Sequence, residues 1–302
     1  MATLKQIHDF LLLAEELHFA RAAEKLGISQ AALSLEVRKL ERSLGAQLFD
    51  RSDRWKIRLT EAGHAYFNRI GPLPELMKSA REAARRASRG EEGKLSVILS
   101  NAVYDAFDVG ALFRRMFQRY PGVKLKIQDR LSSPQAAEMV RSGECDVGIF
   151  AYIHHASTLD GLRYIRIMES DIALALPARH PLAGKADLGF DDLRHCGFIF
   201  PAREEMPVLR RLFEEYFMAH CHTLPVIEHE AVGFRAIRQL VAAGLGVALV
   251  PGDRPDRNIV FRELPDGLRR SIVAAWDGGN HSPALRNFLS LIPTCEPAAV
   301  GA

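Results

Sequence analysis

Residues 19–51, FARAAEKLGISQAALSLEVRKLERSLGAQLFDR, decide the reading of the fold. Two short helical patterns flank a tight turn. Ala22, Ala23 and Leu26 share a face of the first, and the alanines are small enough to let a second helix approach closely. Gly27 follows, the residue expected where the backbone needs a left-handed conformation. Ser29 is suited to cap the next helix by accepting a hydrogen bond from one of its free N–H groups. In that second helix Leu33, Val37, Leu40 and Leu44 recur at helical spacing and predict one apolar face. The opposite face carries Ala31, Ser34, Leu35, Arg38, Lys39 and Arg42. An apolar back and a basic front, entered through a glycine turn, make the shape that docks in a DNA major groove. A solvated surface helix packed on its neighbour has the same pattern, so the flanking sequence has to decide.

On the N-terminal side, Leu4 to Leu17 reads as an amphipathic helix with Leu4, Ile7, Phe10, Leu11, Leu13, Ala14 and Leu17 on its stripe, which completes a three-helix core. On the C-terminal side, Leu48–Arg51 and the alternating Trp55–Leu59 flank a polar turn and predict a two-stranded wing. Arg51, Arg54, Lys56 and Arg58 on or near that wing are expected to reach phosphates or a minor groove. Charge is distributed to match. Residues 1–90 carry 16 Lys+Arg against 11 Asp+Glu, whereas the remainder has 24 against 26, although the whole chain of 302 residues is only +3. The basic surplus therefore lies where a polyanion would be met.

The phrases HFARAAEKLGISQAALS, LGAQLFDR and LTEAG, spread over roughly residues 4–65, resemble the N-terminal signature of LysR-type transcriptional regulators. The resemblance implies a winged helix-turn-helix over residues 1–59 with Ser29–Leu44 as recognition helix and double-stranded DNA as partner. It also implies that Ser29, Gln30, Ser34 and Arg38 lie near DNA. One departure stands out. Leu35 occupies a position where many members carry Arg or another polar residue, and a leucine there can meet a thymine methyl instead. Residues 60–90 correspond to the family's linker helix, which pairs two subunits; kinship suggests a homo-oligomer, a tetramer built as a dimer of dimers. Thr60 is a plausible N-cap for a helix running from Glu61 to about Ala87, with a kink or break expected near Gly71-Pro72-Leu73-Pro74. Arg81, Arg85, Arg86 and Arg89 read as a solvated face of that helix.

Beyond Glu91-Glu92-Gly93, strand and helix patterns alternate. Lys94–Ser100 is a strand running into a helix that reaches about Tyr120, followed by a strand at Val123–Gln128, a helix at Pro134–Ser142 and a buried strand at Cys145–Phe150. The alternation continues to a final helix at Pro283–Ile292 and predicts a parallel, doubly wound sheet. YPGVKLKI, GECDVGI, ALALPARHPLA and LVAAGLGVALVP resemble the family's effector-binding part. They imply two α/β subdomains similar to periplasmic binding proteins: residues 91–165 with 268–293, and residues 166–267. The chain would cross between them near Arg166 and Leu268, leaving residues 294–302 as a tail.

In open α/β sheets ligands bind beyond the carboxyl ends of strands, near helix N-termini that attract anions. Ser100 and Asn101 lie at such a junction and are candidates for holding a carboxylate effector, or simply for capping a helix. The resemblance adds Ser132, Ala151, Pro201, Ala202, Val232 and Gly233 as positions lining the cleft. Many relatives are polar where this chain has Ala151 and Ala202, so a less polar cleft is expected, and Phe150, Tyr152 and Phe200 are candidates for facing an apolar effector.

Enzymatic readings find little support. GxSxG, GxxxxGK[ST] and HExxH are absent, and no carboxylate pair stands out as acid and base. His220-Cys221-His222, adjacent at the end of a helix, does not suit one metal ion without ligands from elsewhere, so neither metal nor cofactor is expected. Cys145, Cys196, Cys221 and Cys295 read as free thiols, with a Cys196–Cys221 redox pair as the alternative. With no apolar run near the ~20 residues that span a bilayer and no secretory signal at the N-terminus, a cytoplasmic location is expected. Two classes of function remain. One is a ligand-responsive transcription factor; the other is a solute-binding or catalytic protein whose N-terminal helices serve only assembly.

Overall fold

The computed structural model describes residues 2–52, 57–104, 106–153, 157–186, 188–252, 255–264 and 267–293. The chain forms two compact units, residues 1–85 and residues 86–302.

In the first unit, α1 (Leu4–Glu16), α2 (Phe19–Leu26) and α3 (Gln30–Leu44) precede a small wing of β1 (Phe49–Asp50) and β2 (Arg58–Leu59), which pair antiparallel. Each helix begins on a side-chain cap. Thr3 forms a capping box with Gln6, His18 accepts from the Arg21 amide at 3.3 Å, and Ser29 accepts from the Ala32 amide at 3.1 Å. Gly27 sits at φ 67°, which only glycine adopts without strain, and its N–H closes α2 onto Ala23 and Glu24. Phe10, Leu13, Ala22, Leu33, Val37 and Leu40 are at most 1% exposed and form one core with Leu48 and Phe49. The apolar periodicity runs past the core at the helix ends. Leu4, Leu17 and Leu44, expected on the apolar stripes, are exposed.

Two helices continue the chain: α4 (Glu61–Ile70) and α5 (Leu73–Ser88). Thr60 caps α4 and donates to the Gln47 carbonyl at 2.6 Å. A Cβ on Gly63 would lie 2.1 Å from the Leu48 carbonyl oxygen, so glycine is what lets α4 seat against the chain entering the wing. The expected interruption falls at Gly71-Pro72 and has a direct cause. Neither Pro72 nor Pro74 has an N–H to give to the preceding turn. Helix α5 buries no residue.

The second unit continues with β3 (Glu92–Ser100), α6 (Asn101–Tyr104), α7 (Val109–Arg119), β4 (Gly122–Leu131), α8 (Ser133–Arg141), β5 (Val147–Ile153), β6 (Arg163–Pro177), α9 (Phe190–Leu193) and β7 (Gly197–Pro201). It ends with α10 (Pro207–Cys221), β8 (Val226–Ala231), α11 (Phe234–Ala242), β9 (Ala248–Pro251), β10 (Ile259–Arg262), β11 (Arg269–Trp276) and α12 (Pro283–Ser290). The single helix expected from Ser100 to Tyr120 is two, because Asp108 starts a new one by accepting from the Ala111 amide at 2.9 Å.

The expected all-parallel sheet is mixed. Among the described residues a seven-stranded sheet runs β10-β6-β11-β5-β3-β4 with β9 also on β6, and β7 pairs with β8. Among the described strand pairs, β3 with β4, β3 with β5 and β7 with β8 are parallel, whereas β11 and β6 enter antiparallel. Alternate residues of the central strands feed cores on opposite faces. Leu99, Ile149 and Ala274 meet α7 and α12, whereas Ile98, Phe150 and Val273 meet α8. Strand β6 changes partners along its length. Arg163–Asp171 pair with β11, and from Ile172 onward it pairs with β9 and β10. The change falls between Asp171 and Ile172, five residues beyond Arg166. The returning chain passes the same place, where the Leu268 carbonyl accepts from the Ile172 amide at 2.8 Å. Around that second half a further core gathers Leu174, Leu176, Phe198, Phe200, Phe213 and Phe217.

Asp9 is an anomaly in the first core: it is 2% exposed and its Oδ2 has no hydrogen-bond partner. Burial pushes its carboxyl above the ordinary carboxylate range, against the opposing pull of Lys5 and His8. The unfolded chain therefore gives up this proton at lower pH than the folded chain, and ionisation opposes folding. The penalty grows as pH rises through the raised value and vanishes on acidification below the unfolded one. Asp9→Asn is expected to stabilise α1–α3 at pH 7 by about 1 kcal/mol, measured as slower amide hydrogen exchange in the full chain. The gain should shrink as the pH is lowered toward the carboxylate range.

Candidate nucleic-acid interface and effector cleft

Seating Leu33, Val37 and Leu40 in the core forces the other side of α3 outward. Gln30, Ala31, Leu35, Arg38, Lys39 and Arg42 are exposed and Ser34 is half-buried. The residues differ in how far they are committed elsewhere. The Ser29 hydroxyl accepts from the Ala32 amide. Lys39 pairs with Glu36 at 2.8 Å, and Glu36 also accepts from Gln6 at 3.2 Å. Arg38 and Arg42 have no ion-pair partner among the described residues. Arg51, expected to reach a phosphate, is held at 3.0 Å by Glu41, and its guanidinium lies 5.2 Å from the Phe19 ring centroid. Glu41 in turn accepts from the Leu48 and Phe49 amides. Arg51 thus braces the start of the wing. Arg58 is exposed on β2, while Arg54 and Lys56 lie outside the described residues.

In the second unit the expected effector positions fall into two groups. Ser100, 1% exposed at the end of β3, lies where the Ser133 hydroxyl reaches its oxygen at 3.4 Å. Neighbouring Ser132 caps α8 through a capping box with Gln135, and Asn101 opens α6 and is exposed. Ala151 is half-buried on β5, opposite Ile272. The second group forms at the ends of β7 and β8, where Pro201 faces Ala231 in register and the Ala202 amide donates to the Ala231 carbonyl at 3.1 Å. The next residues, Val232 and Gly233, follow; Gly233 has φ 83° and donates its N–H to the Met206 sulfur at 3.1 Å. Two contacts tie the groups together. Ile153, two residues past Ala151, packs on the Phe198–Phe217 core. The buried Arg270 of β11 lies 5.9 Å from the ring centroid of Phe234, the first residue of α11. Phe150 and Phe200, candidates for facing an effector, are buried core residues; Tyr152 is half-buried.

A charge network went unread in the sequence. Arg210, 5% exposed on α10, donates to Glu214 at 2.6 Å, to Glu230 at 2.7 Å and to the Pro201 carbonyl at 3.2 Å. It fastens the strand end that carries Pro201 and Ala202, and the hydrogen bond from Arg210 holds the Glu230 carboxyl below its ordinary range. The i, i+4 spacing of Arg210 and Glu214 was the available signal. An open cavity of about 600 Å3, bordered by Leu99, Tyr104, Phe107, Phe113 and Ile127, includes none of the expected effector residues. No group of His, Cys, Asp and Glu among the described residues is arranged to hold a metal. His220 stacks on Phe190, centroids 4.7 Å apart, while Cys221 is buried. Cys145, Cys196 and Cys221 are free, and burial pushes each thiol up, away from the reactive thiolate; Cys295 lies outside the described residues.

Residues 4–64 match the bacterial regulatory helix-turn-helix protein, lysR family, and residues 88–294 match the LysR substrate binding domain. The chain belongs to the LysR family. Relatives of this regulator include the HTH-type transcriptional regulator AlsR of Bacillus subtilis, 30% identical over 97% of this chain and 96% of its own. The Hca operon transcriptional activator HcaR of Escherichia coli is 29% identical over 96% of each chain. Among solved structures, CbnR has a TM-score of 0.71 at 24% identity, covering 96% of this chain and 99% of its own. Full-length CbnR complexed with its target DNA has a TM-score of 0.73 at 22% identity, covering 96% of this chain and 98% of that one. The regulator is therefore a winged helix-turn-helix joined to an α/β effector-binding domain, a transcription factor rather than an enzyme.

The two arginine environments give separable outcomes. Arg38→Ala is expected to weaken DNA binding and to lower the slope of log K against log salt by about 1, with unchanged thermal stability. Arg51→Ala is expected to lower the melting temperature, because Glu41 loses its partner and Phe19 its cover. Anisotropy titrations at several salt concentrations, with melting curves, distinguish the two.

Proposed function

We propose that the regulator contacts double-stranded DNA through the outward face of α3, from Gln30 to Arg42, with Arg58 of the wing beside it. The observation that carries this reading is the pair of uncommitted guanidinium groups, Arg38 and Arg42, on a face that the burial of Leu33, Val37 and Leu40 holds outward. A small-molecule effector, with a carboxylate as its anchoring group, binds between the strand-end groups of Ser100, Asn101, Ser132 and Ala151 and of Pro201, Ala202, Val232 and Gly233. Support comes from helix starts at Asn101 and Phe234 next to those residues, since helix N-termini favour an anion, and α11 carries no side-chain cap. The effector acts by biasing the relative orientation of two subdomains, residues 91–165 with 268–293 and residues 166–267. The change of partners within β6 favours moving the first boundary to 171/172.

Residues 1–59 form the DNA-binding domain and 60–90 the linker. Helix α5, which buries nothing and exposes Leu76 at 62% and Met77 at 44%, favours pairing with a second copy and a homo-oligomer, a dimer of dimers. Such a protein acts on cytoplasmic DNA; no helix among the described residues is long and apolar enough to cross a membrane.

The test pairs two binding measurements on the purified full chain. Duplexes from a random pool should be retained at low ionic strength, and the melting temperature should rise with a member of a panel of small aliphatic and aromatic carboxylates. Removing residues 1–59 should abolish duplex retention and spare the thermal shift, whereas Ser100→Ala should diminish the shift. Duplex retention without residues 1–59 would overturn the assignment of α3, and a full shift in Ser100→Ala would overturn that of the cleft.

A further inference from the structure

The outward face of α3 is not uniform. On an ideal helix advancing about 100° per residue, Ala31, Leu35, Arg38 and Arg42 fall within about 60° of one another. They form a stripe that is apolar over its first two turns and cationic over its last two. Leu35 is 49% exposed at its centre, beside exposed Ala31 and Ala32. A half-exposed leucine on a face otherwise given to polar contacts loses free energy in water and regains it only against an apolar group.

Recognition helices of this kind present their N-terminal residues to base edges, while basic residues further along take phosphates. The N-terminal half of α3 holds no Arg or Lys for the bidentate reading of guanine. Its acid, Glu36, is half-buried and already accepts from Gln6 and Lys39. Ser29, whose hydroxyl accepts from the Ala32 amide, Gln30 and half-buried Ser34 are the other hydrogen-bonding groups there, and Leu35 is the largest exposed side chain. The one apolar feature that an ordinary base pair offers in the major groove is the thymine C5-methyl.

We infer that Leu35, backed by Ala31, selects a thymine in each half-site by packing on its methyl group. The inference rests on the DNA-contact reading of α3 and adds to it the side chain through which a thymine methyl is read.

The probe is a duplex selected by the full-length protein from a random pool, in which each thymine is replaced in turn by uracil. That exchange deletes the methyl and keeps every hydrogen bond. One position per half-site should show about fourfold weaker binding, the worth of one methyl removed from a packed contact. Leu35→Ala should bind the thymine duplex correspondingly less well and lose its sensitivity to uracil at that position alone, a coupling read from the four combinations. Because Leu35 is not in the core, circular dichroism of the variant should match that of the parent. Uracil tolerated at every position, or a Leu35→Ala protein as sensitive to uracil as the parent, overturns the inference while leaving DNA binding intact. Failure to retain any duplex at low salt overturns the DNA-contact reading, and this inference with it.

Discussion

The burial of Leu33, Val37 and Leu40 against Phe10, Ala22 and Ala23 is the constraint on which the DNA-binding unit depends, because it fixes the rotation of α3 about its own axis. The magnitudes show why. Each such side chain contributes about 1.5–3 kcal/mol on full burial, whereas an exposed ion pair such as Glu36–Lys39 contributes about 0–1 kcal/mol. A turn of α3 by one residue would bring Leu33 or Val37 into water, and no rearrangement of surface charges could offset that. The methyl-sized residues at Ala22 and Ala23 matter for the same reason. They let α2 lie close enough for the leucines to be covered from both sides, and Gly27 turns the chain within the short distance that remains.

The second unit is organised by a different device. One strand, β6, belongs to two layers of structure, and its change of partners between Asp171 and Ile172 coincides with the return of the chain at Leu268. Two α/β halves joined through continuous backbone hydrogen bonding differ from two halves joined by a flexible tether. Arg270, next to this crossing and packed over Phe234, links the shared sheet to the start of α11. The residues proposed to meet an effector lie at strand ends, where backbone pairing fixes their spacing.

What the sequence made legible follows from what is local. Ser29, Gly27, Thr60 and the prolines after Gly71 act on backbone atoms a few residues away, so their consequences were readable in order. The misreadings are those in which a distant or unexpected partner decides. The helix expected to reach Tyr120 divides because Asp108 competes for the role of cap. Leu4 and Leu44 have the right period, but the core ends before reaching them. The residues expected to meet an effector lie at two sets of strand ends, while the fastening role of Arg210 was not legible because its partners Glu230 and Pro201 come from other elements.

The arginines show why composition alone could not have assigned the interface. Arg51, Arg210, Arg38 and Arg42 are the same side chain, always charged and capable of several hydrogen bonds. Two of them meet carboxylates of their own chain. Glu41 and Phe19 enclose Arg51, and Glu214, Glu230 and Phe200 enclose Arg210, so each holds a chain segment in place. The other two are exposed and form no ion pair among the described residues. The surplus of positive charge in residues 1–90 therefore overstates what is available to a polyanion, and the way the charges are distributed matters more than their sum. Exposed basic side chains that form no ion pair among the described residues are a better mark of an external anion than a high net charge whose members are already paired.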